Sequence, residues 1–482
     1  MKVRETTRAR RTTRARGDSK GPSGEIPFTA VDGLSTFLKQ KGNTLLVKGY
    51  AGAGKTTLAL QLLRELAPDG GGIYVSSRVS LQKLRREFPW ARFGGNGAAP
   101  VGGFTDLRLG SPSTVLEEIM GAITSKRTIT SSAVVLDTWD GIAKEMDPTE
   151  RLKAEKMLIA FADSQRARVI FVSEEPQRTT MDFLVDGIVE LTREERYGRV
   201  FREIEVQKLR GTLIEQHKYL YTLKDGRFTL IAPYSSAVPA GARRPDPIQD
   251  SGAFASFGSV PLDAAFGGLR KGATFVVVYD ERVPYDAIRL ISIRATINAL
   301  NAGKGVFGIP LPGATINELA ELVRPRVDPD VYTRCLALGS LGGEAEAGPP
   351  LHSVNDADPR QASARITDLV AKVRAQSRAK GVLIVESVGT LEAHFASRIE
   401  SVVEGVGKTA GAVRSSGVDA YLLLIQHDSP IASRILAMSN RYVRLITMDR
   451  SVVILAEKPA SPAYSIDHAP EDPINPRLTL IV

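Results

Sequence analysis

Eight consecutive residues, Gly49-Tyr50-Ala51-Gly52-Ala53-Gly54-Lys55-Thr56, fit the G-x-x-x-x-G-K-[ST] spacing of a loop that wraps phosphate groups. Such a loop needs backbone N–H groups turned inward, and Gly49, Gly52 and Gly54 tolerate the positive φ angles that turn them. Lys55 would reach the β- and γ-phosphates, Thr56 would set its hydroxyl on Mg2+, and Thr57 would hold the first helical turn. The dipole of the following helix adds favourable charge for an anion. A fortuitous glycine turn is the plain alternative. The context argues against it, because an apolar run precedes the loop and an amphipathic stretch follows it.

Phosphate chemistry with Mg2+ also needs a carboxylate at the end of a buried strand, and Ala133-Val-Val-Leu-Asp137 supplies one. Asp140, three residues on, is a candidate supporting carboxylate or base. Glu174-Glu175 follow the apolar run 169–173 and read first as a strand-end pair beside an ordinary loop. The histidines His217, His352, His394, His427 and His468 lack metal-ligand spacing, so no zinc site is expected. His427 follows the run ending at Gln426 and reads as local structure rather than a sensor.

Elements that would position these residues alternate between short apolar runs and amphipathic stretches, the pattern of βα units feeding a parallel sheet. Strands are expected at 44–48, 73–76, 134–137 and 169–173, and helices at 56–66, 81–88, 114–123 and 150–165. Hairpin-like runs at 187–191, 200–209 and 228–231 would complete the sheet antiparallel. The glycine-rich stretch 94–103 reads as an excursion with little structure. Residues 232–252 contain Pro233, Pro239, Pro245 and Pro247 and read as an extended linker.

The second half repeats the opening of the first. Gly42-Asn-Thr-Leu-Leu-Val-Lys48 has a counterpart 230 positions later in Gly272-Ala-Thr-Phe-Val-Val-Val278, and the runs 382–386 and 420–426 match two later strands, with an insertion around 325–359. The same offset maps Gly49, Gly52, Gly54, Lys55 and Thr56 onto Tyr279, Arg282, Pro284, Tyr285 and Asp286. That copy cannot cradle a phosphate: Pro284 lacks an N–H, the ammonium is gone, and Asp286 repels an anion. Glu386, at the place of Asp137, does not rescue it. An α/β protein of two similar halves is expected: a basic tail at 1–24, a phosphate-loop domain at 25–231, a linker at 232–252 and a degenerate copy at 253–482.

Composition narrows the class. A chain of 482 residues with 43% hydrophobic and 24% charged residues has material for several cores. Its single cysteine, Cys335, excludes an internal disulfide or thiolate cluster, and no apolar run approaches the ~18–20 residues of a membrane span. A cytoplasmic protein without membrane contact is expected. Six of the nine net positive charges fall within the first 20 residues, where eight Lys/Arg face Glu5 and Asp18. That segment has no apolar periodicity and reads as a disordered tail, either a solvated one or a patch for nucleic acid or an acidic partner.

Around the loop, and again at Gly187-Ile-Val-Glu-Leu and Arg202-Glu-Ile-Glu-Val-Gln-Lys208-Leu-Arg210-Gly211-Thr212, the sequence resembles the KaiC-like branch of the RecA superfamily of ATPases. Phe257-Gly-Ser-Val-Pro-Leu-Asp263-Ala-Ala-Phe-Gly267-Gly268 looks like the Leu-Asp and Gly-Gly pattern preceding that family's first strand. Tyr74-Val-Ser-Ser-Arg78-Val-Ser80 and the double length look most like the archaeal gas-vesicle regulators of the GvpD family. The resemblance implies two RecA-like domains, ATP and Mg2+ as ligands, and homo-oligomers with nucleotide at subunit interfaces. There Lys208 and Arg210 would match fingers reaching a neighbour's nucleotide; the plain alternative pairs them with Glu203 or Glu205. It also implies one or two water-activating glutamates after the second strand, where Arg78 and Val79 stand here. Slow hydrolysis follows as the expectation.

Three functions are consistent with these residues. The leading one is an ATP-binding regulatory ATPase whose nucleotide state controls assembly or a protein partner, as in gas-vesicle control. A recombinase-like or DNA-repair accessory protein would use the tail on nucleic acid, although no aromatics interleave with its arginines. A scaffold holding ATP without turnover is the third.

Overall fold

Thr44–Gly49 (β1) is buried along its whole length, and the first half is arranged around it. The computed structural model describes residues 30–40, 42–68, 71–92, 101–106, 116–117, 119–121, 133–144, 146–236, 243–341, 350–354 and 358–482. The expected tail at 1–24 and half of the helix expected at 114–123 lie outside them. Gly72–Ser76 (β2), Val101–Asp106 (β3), Ala133–Asp137 (β4), Arg168–Val172 (β5), Gly187–Arg196 (β6), Arg199–Leu209 (β7), Lys218–Thr222 (β8) and Thr229–Leu230 (β9) complete one sheet, ordered β3-β2-β4-β5-β1-β6-β7-β8-β9. It is parallel from β3 to β6 and antiparallel from β6 to β9. Two strands differ from expectation. Val101-Gly-Gly103 opens β3 rather than ending an unstructured excursion, and β8 has no counterpart among the expected runs.

Both faces of this sheet are covered, which is why its parallel strands read as continuous apolar runs. Ala30–Lys39 (α1) and Lys55–Leu66 (α2) cover one face, where Phe37, Leu58 and Leu62 pack on Val47, Val135 and Val189. On the other face Trp139, Leu158 and Met181 pack on Leu46, Leu136 and Phe171.

A two-strand ribbon, Phe254–Ala255 (β10) with Leu269–Arg270 (β11), leads into the second sheet. That sheet contains Ala273–Tyr279 (β12), Gly305–Ile309 (β13), Leu336–Ser340 (β14), Leu351–Ser353 (β15), Val382–Ser387 (β16), Ala420–Gln426 (β17), Arg441–Met448 (β18), Ser451–Lys458 (β19), Ala460–Ala469 (β20) and Asp472–Ile481 (β21). Its order, β15-β14-β13-β16-β17-β12-β18-β19-β20-β21, repeats that of the first sheet strand for strand from β14 onward, with β15 added at the edge. The turn glycines Gly42 and Gly272 carry matching positive φ of 88° and 70°. The chain is thus α/β, with two large, mostly parallel sheets flanked by helices.

The antiparallel ends of the sheets meet. Phe201, Leu220 and Ile231 share one apolar cluster with Ile446, Met448, Leu455 and Ile481. Arg199 ties the clusters' rims, donating to the Ser461 carbonyl at 2.9 Å and the Ala456 carbonyl at 2.6 Å.

Glu386, at the end of β16, is fully buried and accepts a hydrogen bond from the Tyr421 hydroxyl. Burial pushes its carboxyl from 4.5 up to about 7, against the opposing effect of that hydrogen bond. The folded state therefore holds a proton that the unfolded state releases. Stability from this group is present below about pH 4.5 and is lost as pH rises toward about 7, by on the order of 3 kcal/mol. Urea unfolding of the second half between these pH values is expected to show the decline, and Glu386→Gln is expected to flatten it.

Candidate functional site

The loop forms because β1 ends at Gly49, where no side chain fits. A Cβ there would lie 2.3 Å from the Leu191 carbonyl oxygen on β6, and φ is +143°. Gly52 and Gly54 follow at φ 78° and 90°, turning the backbone into α2. Ala53 is buried, whereas Tyr50, Ala51 and Gly52 face outward. The Lys55 Nζ folds back over the loop, donating to the carbonyls of Gly49 at 2.6 Å and Tyr50 at 2.9 Å. Thr57 is buried behind it in the first turn of α2.

Thr56 and Asp137, 81 residues apart in sequence, converge. The Thr56 hydroxyl donates to Asp137 Oδ2 at 2.7 Å, and the Tyr74 hydroxyl of β2 donates to the same oxygen. Burial raises the Asp137 carboxyl, while Tyr74, Thr56 and the Lys55 charge pull it back down. Burial likewise lowers the Lys55 ammonium, opposed by the carboxylates of Glu174, Asp137 and Asp140. The charges acting on the Lys55 ammonium are thus three acids and the Arg78 guanidinium.

Glu174 stands just past the end of β5, as a strand-end residue would, and its charge acts on Lys55. β5 lies beside β1, so both deliver their C-terminal ends to the same edge of the sheet. This is the edge where open α/β sheets bind ligands. The Glu174 carboxylate forms an ion pair with Arg78, the residue standing where a glutamate was expected after β2. Asp140 fixes the approach: its carboxylate accepts from the Glu174 amide at 2.5 Å and the Ser173 hydroxyl at 3.2 Å. Arg151 lies 3.7 Å from Asp140 and pairs with Glu155 and Glu175, so Glu175 belongs to the supporting network. A carboxylate two residues past an apolar run was visible in the sequence; that this strand lies beside β1 was not.

Lys208 and Arg210 stand elsewhere. Leu209 pairs with Gly187, which lies beside Leu45 at the start of β1, so both cations sit at the sheet edge opposite the loop of their own chain. Lys208 donates to the carbonyls of Asp182 at 3.1 Å and Val185 at 2.6 Å. Arg210 pairs with Asp186 at 2.7 Å. Neither pairs with Glu203 or Glu205, whose cations are Arg196 and Lys218. His427 lies 3.2 Å from an Arg444 nitrogen, away from the loop.

The second half reaches the loop through β8. The Tyr221 hydroxyl donates to the Ala53 carbonyl, and the Leu223 side chain fills the space against Gly54. The adjoining Thr222 hydroxyl accepts from the Val482 amide at 3.3 Å.

These residues fit a nucleotide with Mg2+. Glycine alone fits at the first loop position, and a hydroxyl and a carboxylate meet beside the lysine. Among the described residues no group of three or more His, Cys, Asp or Glu could hold a metal by itself, so phosphate oxygens and water would complete the shell around Thr56 and Asp137. No helix among the described residues is long and apolar enough to cross a membrane.

Residues 34–207 match the family described as the GvpD gas vesicle protein, P-loop domain. The chain is 25% identical over 462 residues to Protein GvpD2 of Halobacterium salinarum, covering 89% of this chain and 91% of that protein. It is 26% identical over 319 residues to Protein GvpD1 of the same organism, covering 60% of this chain and 58% of the relative. The matched segment runs from α1 through β7 and contains the loop, Thr56, Asp137, Asp140 and Glu174. The chain is thus similar to the GvpD proteins over most of its length, and residues 34–207 of its first half match that family's P-loop domain.

Proposed function

We propose that the chain is an ATP- and Mg2+-dependent regulatory protein of gas-vesicle formation, built from two RecA-like halves of which only the first takes nucleotide. Its units are the tail 1–24, the nucleotide domain 25–231, the linker 232–252 and the degenerate copy 253–482. The observation that carries this reading is the meeting of Thr56 and Asp137 at 2.7 Å beside Lys55 on an intact loop. Mg2+ would neutralise charge on the β- and γ-phosphates there. The repeated strand order supports the RecA-like reading of both halves.

Nucleotide state would then control a partner. Tyr221 and Leu223 hold the loop while Thr222 meets Val482, so a change of loop conformation is felt by the second half. Lys208 and Arg210 are remote from their own loop, which supports a role toward a neighbour's nucleotide in a head-to-tail oligomer. The exposed Leu213, three residues after Arg210, and Phe183, next to the Asp182 whose carbonyl accepts from Lys208, are 85% and 75% exposed and would be covered in such an assembly. A cytoplasmic location accords with this role.

The test is ATP binding by Lys55→Ala, read by fluorescence of a labelled nucleotide. Loss of a charge-assisted phosphate contact predicts affinity about 100-fold weaker than wild type. Equal affinity would end the nucleotide reading.

A further inference from the structure

At the place corresponding to the phosphate loop, the second half carries a cleft of about 610 Å³. The start of the helix Tyr285–Asn301 forms one wall, the helix Ile316–Val323 a second, and the β20–β21 hairpin a third. The volume falls within the range of small-molecule sites.

Two buried polar atoms aimed at this region lack hydrogen bonds among the described residues. Asp286 Oδ2 is one: His468 Nε2 is 3.9 Å away, Ser236 and the Tyr234 hydroxyl also face this carboxylate, and its Oδ1 accepts from the Ala287 amide at 3.1 Å. Arg289 Nε, one helical turn further on, is the other. Its Nη1 leans toward Glu318 at 3.4 Å. A buried acceptor and a buried donor without partners each carry a desolvation cost that a complementary ligand would remove. Leu290, Ile293, Leu322 and Ile474 give the cleft apolar wall. Glu318, beside Arg289, and Glu321 also line it.

The chemistry of the ligand follows from that arrangement. Asp286 occupies the position of the magnesium-binding Thr56, so a phosphate is repelled and a cation is attracted. Arg289 beside it asks for an acceptor, and a guanidinium suits a carboxylate. His468 is fixed in place, with Nδ1 donating to the Pro473 carbonyl and Nε2 2.8 Å from the Tyr234 hydroxyl. It therefore remains beside Asp286 as part of the wall.

We propose that this cleft binds an amino-acid-like zwitterion, its protonated amine on Asp286, its carboxylate on Arg289 and its apolar body against Leu290, Ile293, Leu322 and Ile474. The site shares no residue with the nucleotide loop, so this inference goes beyond the proposed function and stands or falls separately from it.

Calorimetric titration of the full chain with the standard L-amino acids and the dipeptide Leu-Phe, at millimolar concentrations, tests it. At least one of these probes is expected to bind, and its N-acetyl derivative to bind about tenfold weaker or worse. Asp286→Asn is expected to cost a similar factor, with the circular dichroism of the chain unchanged. Arg289→Met is expected to weaken the free acid more than its methyl ester. Lys55→Ala is expected to bind the probe as wild type does. The proposal is overturned if no probe binds, or if binding survives both N-acetylation and Asp286→Asn. The ligand-side modification keeps the test decisive should either variant fail to fold.

Discussion

Lys48→Met is expected to destabilise the first half by about 3–5 kcal/mol. Lys48 lies in β1 one residue before the loop, is 2% exposed, and donates to the Gln177 carbonyl at 2.6 Å and to both Asp182 oxygens at 2.9 and 3.2 Å. Removing the ammonium leaves the Asp182 carboxylate largely buried without its cation. Much of the cost is that stranded charge, so the double variant Lys48→Met/Asp182→Leu is expected to recover most of the loss. The protein's two tryptophans, Trp90 and Trp139, both lie in the first half, so tryptophan fluorescence in a urea titration reports on that half. A single variant as stable as wild type would show that the pair contributes nothing, and a double variant worse than the single would contradict the stranded-charge account.

Glu174→Gln is expected to reduce single-turnover ATP hydrolysis by about 10²- to 10⁴-fold, the range of a lost general base or water-orienting carboxylate. ATP affinity is expected to stay within about threefold, because Glu174 faces Lys55 rather than replacing it. The residue stands at the C-terminal end of β5, paired with Arg78 and with its amide held by Asp140. Asp140→Asn, which loosens that hold, is expected to lose less. Turnover by Glu174→Gln equal to wild type would assign water activation elsewhere. A fall in affinity matching the fall in rate would mark Glu174 as a binding residue instead.

The phosphate loop and Asp137 were legible because their information is local. Glycine spacing and a lysine–threonine pair dictate a turn between a strand and a helix, and four apolar residues ending in aspartate dictate a buried strand with a carboxylate at its tip. The repeat was legible for the same reason, since Gly42 and Gly272 each open a run of continuous apolar residues. β3 was harder to read because Gly102 and Gly103 weaken its strand pattern, and its place in the sheet depends on pairing with β2.

What the sequence by itself determined is the set of local units: the loop over Gly49–Thr57, the different residues at its counterpart Pro284–Asp286, and the succession of βα elements in both halves. Only the tertiary structure decided which charges meet. Arg78 and Glu174 are joined because β2 and β5 end at one edge of the sheet, Lys48 finds Asp182 across 134 positions, and Lys208 and Arg210 land at the edge away from their own loop. The physical reason is that an ion pair or a cleft has no periodicity of its own. It depends on strand order and register, which bring distant residues within a few ångströms and which no spacing along the chain records.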